Sequence, residues 1–178
     1  MPRLFLPGVY NLPSGLNDAA DGKSGGNTHV KMGIRQKTTE AEIGAYIRQQ
    51  VERIESALVY NLQFIGEKCL NAARETNSYK DRTGNLRSSL GYVIVVDGKI
   101  KYQSGFEVVL QGGSGAMNGA RFAKYVAQQF PEGIVLIVVA GMNYAAHVAA
   151  RGLDVLDSAE LLADKLVPQI LKQLGFTK

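Results

Sequence analysis

The side chains that could carry out chemistry are few and scattered along the chain. The two histidines, His29 and His147, have no acidic or nucleophilic residue at the spacing of a catalytic triad or a metal site. Cys69 is the only cysteine, which excludes a disulfide within the chain and a thiolate metal site. It falls on an apolar helical stripe and is predicted to be a core residue. The chain is therefore not expected to be an enzyme, and no catalytic residue is predicted.

An acidic run and a glycine-rich segment are the remaining candidates for ligand binding. Asp154, Asp157, Glu160 and Asp164 are of the type that binds hard cations. Asp157 and Glu160, however, form a helix-start signal, and the other two fit a solvated helix face. The glycine-rich segment, residues 111–119, lacks the Gly-Lys-Ser/Thr of a phosphate-binding loop and is predicted to be flexible. Neither a metal nor a cofactor is predicted.

A basic cluster extends from Arg74 to Arg87 and also contains Lys80 and Arg82. Four cations so close together can contact phosphates. Tyr79 is the one aromatic residue within the cluster, and a single ring does not make the interleaved pattern that supports base stacking. The other basic residues are spread among acids, with a net charge of only +4. We therefore favour a solvated edge or a subunit contact, and keep nucleic-acid association as the alternative.

A long amphipathic helix precedes this cluster. Thr39 and Glu42 match a capping box at its start. If the helix continues to about Glu75, it is on the order of 50 Å long. Part of it is then expected to lie against another subunit or to span a whole sheet. Its apolar face consists of Ile43, Ile47, Val51, Ile54, Leu58, Leu62, Ile65 and Cys69.

A turn cluster leads from this helix into a β-hairpin. Tyr92–Val96 is an apolar strand, and Asp97-Gly98 favours a type I′ turn into an alternating return strand that includes Phe106 and Val108. The alternation predicts an antiparallel sheet covered by helix on one side. Gly84 or Asn85 can take the unusual φ that aims the chain into the strand. The predicted structural turn consists of Thr83, Gly84, Asn85 and Leu86.

The rest of the chain completes an α+β fold. A short helix is predicted over about 119–130, and the apolar strand Ile134–Ala140 is placed at the centre of the sheet. A last helix starts at Asp157, with a kink or break expected at Pro168. The predicted architecture is a small, mostly antiparallel sheet, made of the hairpin and a central apolar strand, packed against the long N-terminal helix and a C-terminal helix.

Residues 1–38 are predicted to be an extended N-terminal arm, and residues 39–178 a single α+β domain. The arm is rich in proline and glycine, and it is either a disordered terminus or a segment that becomes ordered on a neighbouring subunit. No apolar run approaches the ~20 residues of a membrane span, and no secretory signal is recognised, so folding in a cytoplasm is expected. The candidate subunit-interface residues are Leu4, Phe5, Leu6, Tyr10, Arg82 and Arg87.

The order of these elements carries a resemblance. A long helix leads to Thr83–Ser89, TGNLRSS, and a hairpin; a later strand leads to Tyr144–Val148, YAAHV, and a terminal helix. This resembles the minor tail-component, or neck (tail-completion), family of long-tailed bacteriophages, over roughly residues 40–174. The arm is unmatched. The family often has an acidic residue and then Gly-Thr after the second motif, where this chain has residues 149–152, AARG.

The resemblance implies a structural virion protein, made in the host bacterial cytoplasm and located at the head–tail junction or tail. It would form a homo-oligomeric ring, contact the neighbouring connector and tail proteins, and let DNA pass through the lumen without sequence-specific binding. No membrane is implied. The alternative function is a cytoplasmic nucleic-acid-associated protein that uses the Arg74–Arg87 cluster.

Overall fold

The computed structural model describes residues 3–5, 39–76 and 78–176. Leu6 and Tyr10 of the predicted interface, and His29, lie outside the described residues. Four strands and five helices occur in the described ranges. In chain order, the elements are β1 (Arg3–Phe5), α1 (Glu40–Glu75), α2 (Asn85–Ser88), β2 (Leu90–Val96), β3 (Lys99–Gly105), α3 (Gly113–Ala127), β4 (Ile134–Ala140), α4 (Ala145–Ala150) and α5 (Asp157–Gln173).

The predicted α+β fold with an antiparallel sheet is confirmed. β2 pairs with β3 on one side and with β4 on the other, both antiparallel. The β2–β3 turn has positive φ at Asp97 and Gly98, at 46° and 74°, as a type I′ turn requires. The backbone of β1 pairs with the free edge of β4 and places Leu4 opposite Val139. The sheet order is therefore β1-β4-β2-β3.

The sheet is covered on both faces, which corrects the expectation of helix on one side only. All seven residues of β2 are buried. On one face, Tyr92 and Ile94 pack in a core with Ile65 and Leu70 of α1 and with α5. On the other face, the alternate residues of β2 and β4 pack against α3. Because side chains alternate along a strand, a continuous apolar run is what a strand buried on both faces needs.

The two halves of α1 differ in burial, although apolar residues recur at the same spacing in both. A boundary between two compact units falls inside this helix, between Leu58 and Val59. In the second half, Ile65, Cys69 and Ala73 are fully buried in the core. In the first half, the apolar stripe is exposed. We call it the α1 stripe and define it as Ile43, Ile47, Val51 and Ile54, which are 40%, 50%, 46% and 48% exposed.

Hydrogen bonds confirm the capping box predicted at the start of α1. The Thr39 backbone N–H donates to Glu42 Oε2 at 2.8 Å, and the Glu42 N–H donates to Thr39 Oγ1 at 3.3 Å. At the start of α5 the predicted cap is wrong. Asp157 is already helical, and it is Asp154 Oδ1 that accepts the Ser158 N–H at 3.2 Å.

Three further sequence predictions are corrected. The flexible loop predicted at 111–119 is largely the start of α3. β3 ends at Gly105, where φ is 88°, so Phe106 and Val108 lie outside the strand. α5 continues through Pro168, which is exposed. Proline removes one helical donor, and solvent can hydrogen-bond the carbonyl that this frees.

The described helices include none that is both long and apolar enough to cross a membrane.

Candidate functional site at the helix-to-sheet corner

The predicted turn lies between α1 and β2. We call the segment Thr83–Ser89 the corner, and Gly84 has an unusual backbone conformation within it. Gly84 has φ 76°, a left-handed conformation that glycine adopts without steric cost. A Cβ at this position would fall on the carbonyl oxygen of Val109. The Thr83 Oγ1 accepts the Asn85 N–H at 3.4 Å, so a side chain also stabilises the turn. Both the backbone angle and the close approach therefore require glycine here.

Asn85 joins this corner to the start of α3. Its Oδ1 accepts the Ser114 hydroxyl at 2.9 Å and the Gly115 N–H at 3.1 Å. The first N–H groups of a helix have no partner inside the helix, so Asn85 acts as a cap supplied from another element. Gly115 permits the contact because a Cβ there would fall on the Asn85 carbonyl oxygen.

Ser88 holds the segment that follows β3. This fully buried side chain accepts the Val109 N–H at 2.8 Å. The Gln111 N–H donates to the Thr83 carbonyl at 3.2 Å and closes the segment onto the turn. Leu86, 2% exposed, lies in the core beneath. The corner thus organises three separate parts of the chain: the end of α1, the segment 106–112 and the start of α3.

Arg87, a candidate for subunit contact, is half-buried and contacts residues of its own chain. Its guanidinium donates to the Thr76 carbonyl at 3.1 Å and lies 5.9 Å from the ring centroid of Tyr79. Its backbone N–H donates to Asp81 Oδ2 at 2.8 Å. Burial raises the pKa of Tyr79 to about 12, although the Arg87 charge opposes the shift. Arg87 therefore stabilises the corner through contacts with residues of its own chain.

The other predicted site residues are dispersed. Arg82 is exposed. Arg74, from the basic cluster, forms an ion pair with Glu107 at 2.9 Å. Leu4 and Phe5 lie in β1, where their backbone is paired with β4 of the same chain. His147 is exposed. The described residues contain no group of three His, Cys, Asp or Glu side chains that could hold a metal ion.

A pocket of about 340 Å³ opens beside the corner. Lys80, Arg82 and Arg151 line it together with Tyr79 and Tyr144. Burial raises the pKa of Tyr144, and the nearby Asp81 carboxylate adds to the shift. The carboxylate in the lining, from Asp81, already accepts a backbone N–H. The pocket wall therefore has three cations against one carboxylate, together with apolar side chains, and this excess of positive charge suits an anionic group.

Sequence reasoning missed the segment 106–112 and the start of α3 as parts of this site. Phe106 and Leu110 have positive φ angles, 58° and 54°, which sequence does not predict because phenylalanine and leucine rarely adopt them. The signal for α3 was present, in the small residues at steps of four from Gly115 through Gly119 and Ala123 to Ala127. Such a stripe is typical of a helix packed closely against another backbone. A Cβ at Gly119 would lie 2.5 Å from the Ser89 carbonyl oxygen.

Large apolar side chains on the elements joined at this corner are exposed. Val108, Leu110 and Met117 are 63%, 73% and 71% exposed to solvent, respectively. We refer to them as the corner apolar residues. The corner is therefore rigidly built on its inner side and apolar on part of its outer side.

No protein-family model, curated protein or solved structure matches the chain.

Proposed function

We propose that this chain is a structural subunit of a tailed-bacteriophage particle, in which it forms a ring at the neck and joins the capsid connector to the tail. The order of elements supports the proposal: α1, the corner at Thr83–Ser89, the β2–β3 hairpin, β4, α4 and α5 follow one another as in the family that the sequence resembles. In a virion the ring contacts connector and tail proteins, and DNA passes through its lumen.

The observation that carries the proposal is a pair of different exposed apolar surfaces. The α1 stripe repeats at helical spacing along one helix face. The corner apolar residues lie on other elements. Contiguous exposed apolar surface commonly marks an interaction site. A ring is built from heterologous contacts, in which one surface of a subunit meets a different surface of the next, and so needs two such surfaces.

The corner itself supports a structural role. Asn85, Ser88 and Arg87 each use their polar groups to join separate segments of the same chain. Side chains held in this way position an interface, and the corner apolar residues are attached to the segments that they hold. A subunit whose contacts are positioned before assembly loses less conformational freedom when it binds a neighbour.

The proposal is tested on particles and on purified protein. We expect the chain to be found in purified virions by mass spectrometry and rings to be visible by electron microscopy. Val51→Asp and Leu110→Asn each place a polar group on one of the two surfaces and are expected to prevent ring formation. Asparagine suits the positive φ of Leu110.

Leu161→Asp is the control, because Leu161 is about as exposed as Leu110, at 72% against 73%, but lies on α5, which belongs to neither surface. All three variants should keep the circular dichroism spectrum of the wild type. Absence of the protein from purified virions would refute the proposed function.

A second candidate, nucleic-acid association, is favoured by one observation. Lys80 and Arg82 line the corner pocket together with Arg151, whereas Arg74 is engaged with Glu107. If the pocket binds DNA phosphates, affinity falls steeply with salt and drops further in Arg82→Ala and Arg151→Ala. Fluorescence anisotropy at several salt concentrations measures this. DNA binding that is unchanged in both variants would exclude this pocket as the phosphate site.

A further inference from the structure

The first half of α1 has an exposed seam with the spacing of a coiled coil. Ile47, Val51 and Ile54 are separated by four and then three residues, and each is close to half exposed. Alternating steps of four and three keep apolar residues on one line along a helix, as in a coiled-coil seam. Leu58 continues the spacing but is only 5% exposed, so the exposed seam ends there. All of these positions belong to one compact unit.

The charges beside the seam are arranged asymmetrically. Arg48 directly follows Ile47, and Glu55 directly follows Ile54, so the two charges flank the seam on the same side. The opposite side has Gln50, which is uncharged. In an antiparallel helix pair, identical flanks of the two helices face each other. If Val51 of one copy packs on Ile54 of another, Arg48 faces Glu55 of the second copy. Two-fold symmetry repeats this ion pair.

Other registers lose this attraction. A shift by one heptad in one direction places Arg48 against Arg48 of the second copy, and a shift in the other direction places Glu55 against Glu55. Like charges across an interface are unfavourable and select against such pairings. In a parallel pair, opposite flanks face each other, and Gln50 meets Glu55 instead of an arginine. The charge pattern therefore favours a single antiparallel register.

We propose that the occupant of this seam is a second copy of the chain, in an antiparallel two-fold dimer in which Val51 packs on Ile54. The contact is isologous, since the same surface of both subunits is used. Glu55 need not be free of other interactions, because a carboxylate accepts several hydrogen bonds. The dimer describes the free subunit and does not rest on the proposed virion function.

The dimer has a consequence for assembly. A helix face covered by a two-fold partner is not available to a neighbour in a ring. If the chain also assembles into a ring through the α1 stripe, the dimer must open first. The seam is short, so we expect the buried area to be below that of stable protein interfaces and the dissociation constant of the dimer to be micromolar or weaker. Such a contact keeps the stripe out of water without blocking assembly.

A charge exchange tests the register by sedimentation equilibrium. Arg48→Glu and Glu55→Arg should each weaken dimerisation about tenfold, because two ion pairs become like-charge pairs. The double variant should return to within about threefold of the wild type, since it restores opposite charges with the same net charge. Arg53→Glu changes the net charge as Arg48→Glu does, but lies away from the seam, and should have little effect.

Cross-linking provides a second test that does not depend on affinity. Oxidation of a mixture of the Val51→Cys and Ile54→Cys variants should give mainly the mixed disulfide, because these two positions face each other. The native Cys69 does not interfere, since it is fully buried and burial raises its pKa to about 11. Far-UV circular dichroism verifies that every variant is folded.

Three results would overturn the inference: a monomer at all concentrations, a double variant as weak as the single variants, or equal yields of mixed and same-site disulfides. Each of them leaves the virion experiment unaffected. Conversely, a chain that dimerises with this charge dependence and is absent from virions would refute the proposed function alone.

Discussion

The two halves of α1 show that the same sequence pattern can serve two different surroundings. In the second half, Ile65 and Cys69 are fully buried between the sheet and α5. In the first half, Ile47 and Val51 continue the same spacing and remain about half exposed. Hydrophobic periodicity predicts that a helix has an apolar face. It does not reveal whether that face is covered by the same chain or by another molecule.

Shortening a matched pair of isoleucines should give the largest contrast. Ile65→Ala removes a fully buried side chain from the core and should lower the free energy of unfolding by about 3 kcal/mol. Ile54→Ala, at a position 48% exposed, should change it by less than about 0.5 kcal/mol. Urea denaturation at low protein concentration measures both. Equal losses would mean that the first half is packed within the monomer.

Adding a methyl group to the two glycines of α1 should give effects of opposite sign. A Cβ at Gly66 would lie 2.5 Å from Cε2 of the Tyr92 ring, and that ring is fixed by a 2.9 Å hydrogen bond from its hydroxyl to Glu67. Gly66→Ala should therefore destabilise the protein by about 1–3 kcal/mol. A Cβ at Gly44 meets only the end of the Arg48 side chain.

Gly44→Ala should consequently stabilise α1, by up to about 1 kcal/mol, because alanine has the higher helix propensity. Thermal unfolding followed at 222 nm measures both variants. A stabilising Gly66→Ala would contradict the close packing of α1 on β2. A strongly destabilising Gly44→Ala would show that the first half of the helix is covered in the monomer.

Asn85, in the corner that follows the second half of α1, caps the start of α3. Asn85→Ala removes the acceptor for Ser114 and Gly115 and should cost about 1 kcal/mol. Asn85→Asp keeps an acceptor oxygen at the start of α3 and should retain most of the stability. Urea denaturation compares the two. If aspartate is as destabilising as alanine, the cap is not what Asn85 contributes.

Patterns that depend on local chemistry were predictable from the sequence. The capping box at Thr39 and the strand Ile134–Ala140 were placed correctly because hydrogen-bond chemistry and apolar runs act over a few residues. The start of α3 was missed because its glycines were interpreted as flexibility, whereas Gly115 and Gly119 are small to allow contact with the corner. Close approach between distant segments is a tertiary property, and one sequence does not display it.

The candidate site was predictable only in part, for the same reason. Gly84 was recognised as a turn residue from its type. Its closeness to Val109, and the role of Ser88 in holding that segment, depend on contacts between residues more than twenty positions apart. Arg87, beside the turn, stays a predicted subunit-contact residue. The contact of its guanidinium with the Thr76 carbonyl could not be inferred from spacing.

The smallest predicted effect concerns Glu42, in the first half of α1. Its pKa shifts in the opposite direction to the pKa of Cys69, in the second half. Burial raises the pKa of Cys69, whereas hydrogen bonds from the Thr39 backbone N–H and hydroxyl lower the pKa of Glu42. A lowered folded pKa means that Glu42 stabilises the helix start above the ordinary glutamate pKa of about 4.3 and loses this effect as the pH falls through its folded pKa. The start of α1 should therefore fray in acid.

The protection of the Ile43 amide against hydrogen exchange, relative to the intrinsic rate at each pH, reports this fraying as the pH is lowered from about 5 to about 3; the Ile43 N–H donates to the Thr39 carbonyl at 3.1 Å. Protection at Ile65, in the buried half, should not change over the same range. Glu42→Gln keeps a side chain that can complete the capping box and should remove the pH dependence. A Glu42 carboxyl that titrates at or above the ordinary value by NMR would contradict the capping role. Protection lost equally in both halves would mean that acid unfolds the helix as one unit, and that the boundary after Leu58 has no energetic meaning.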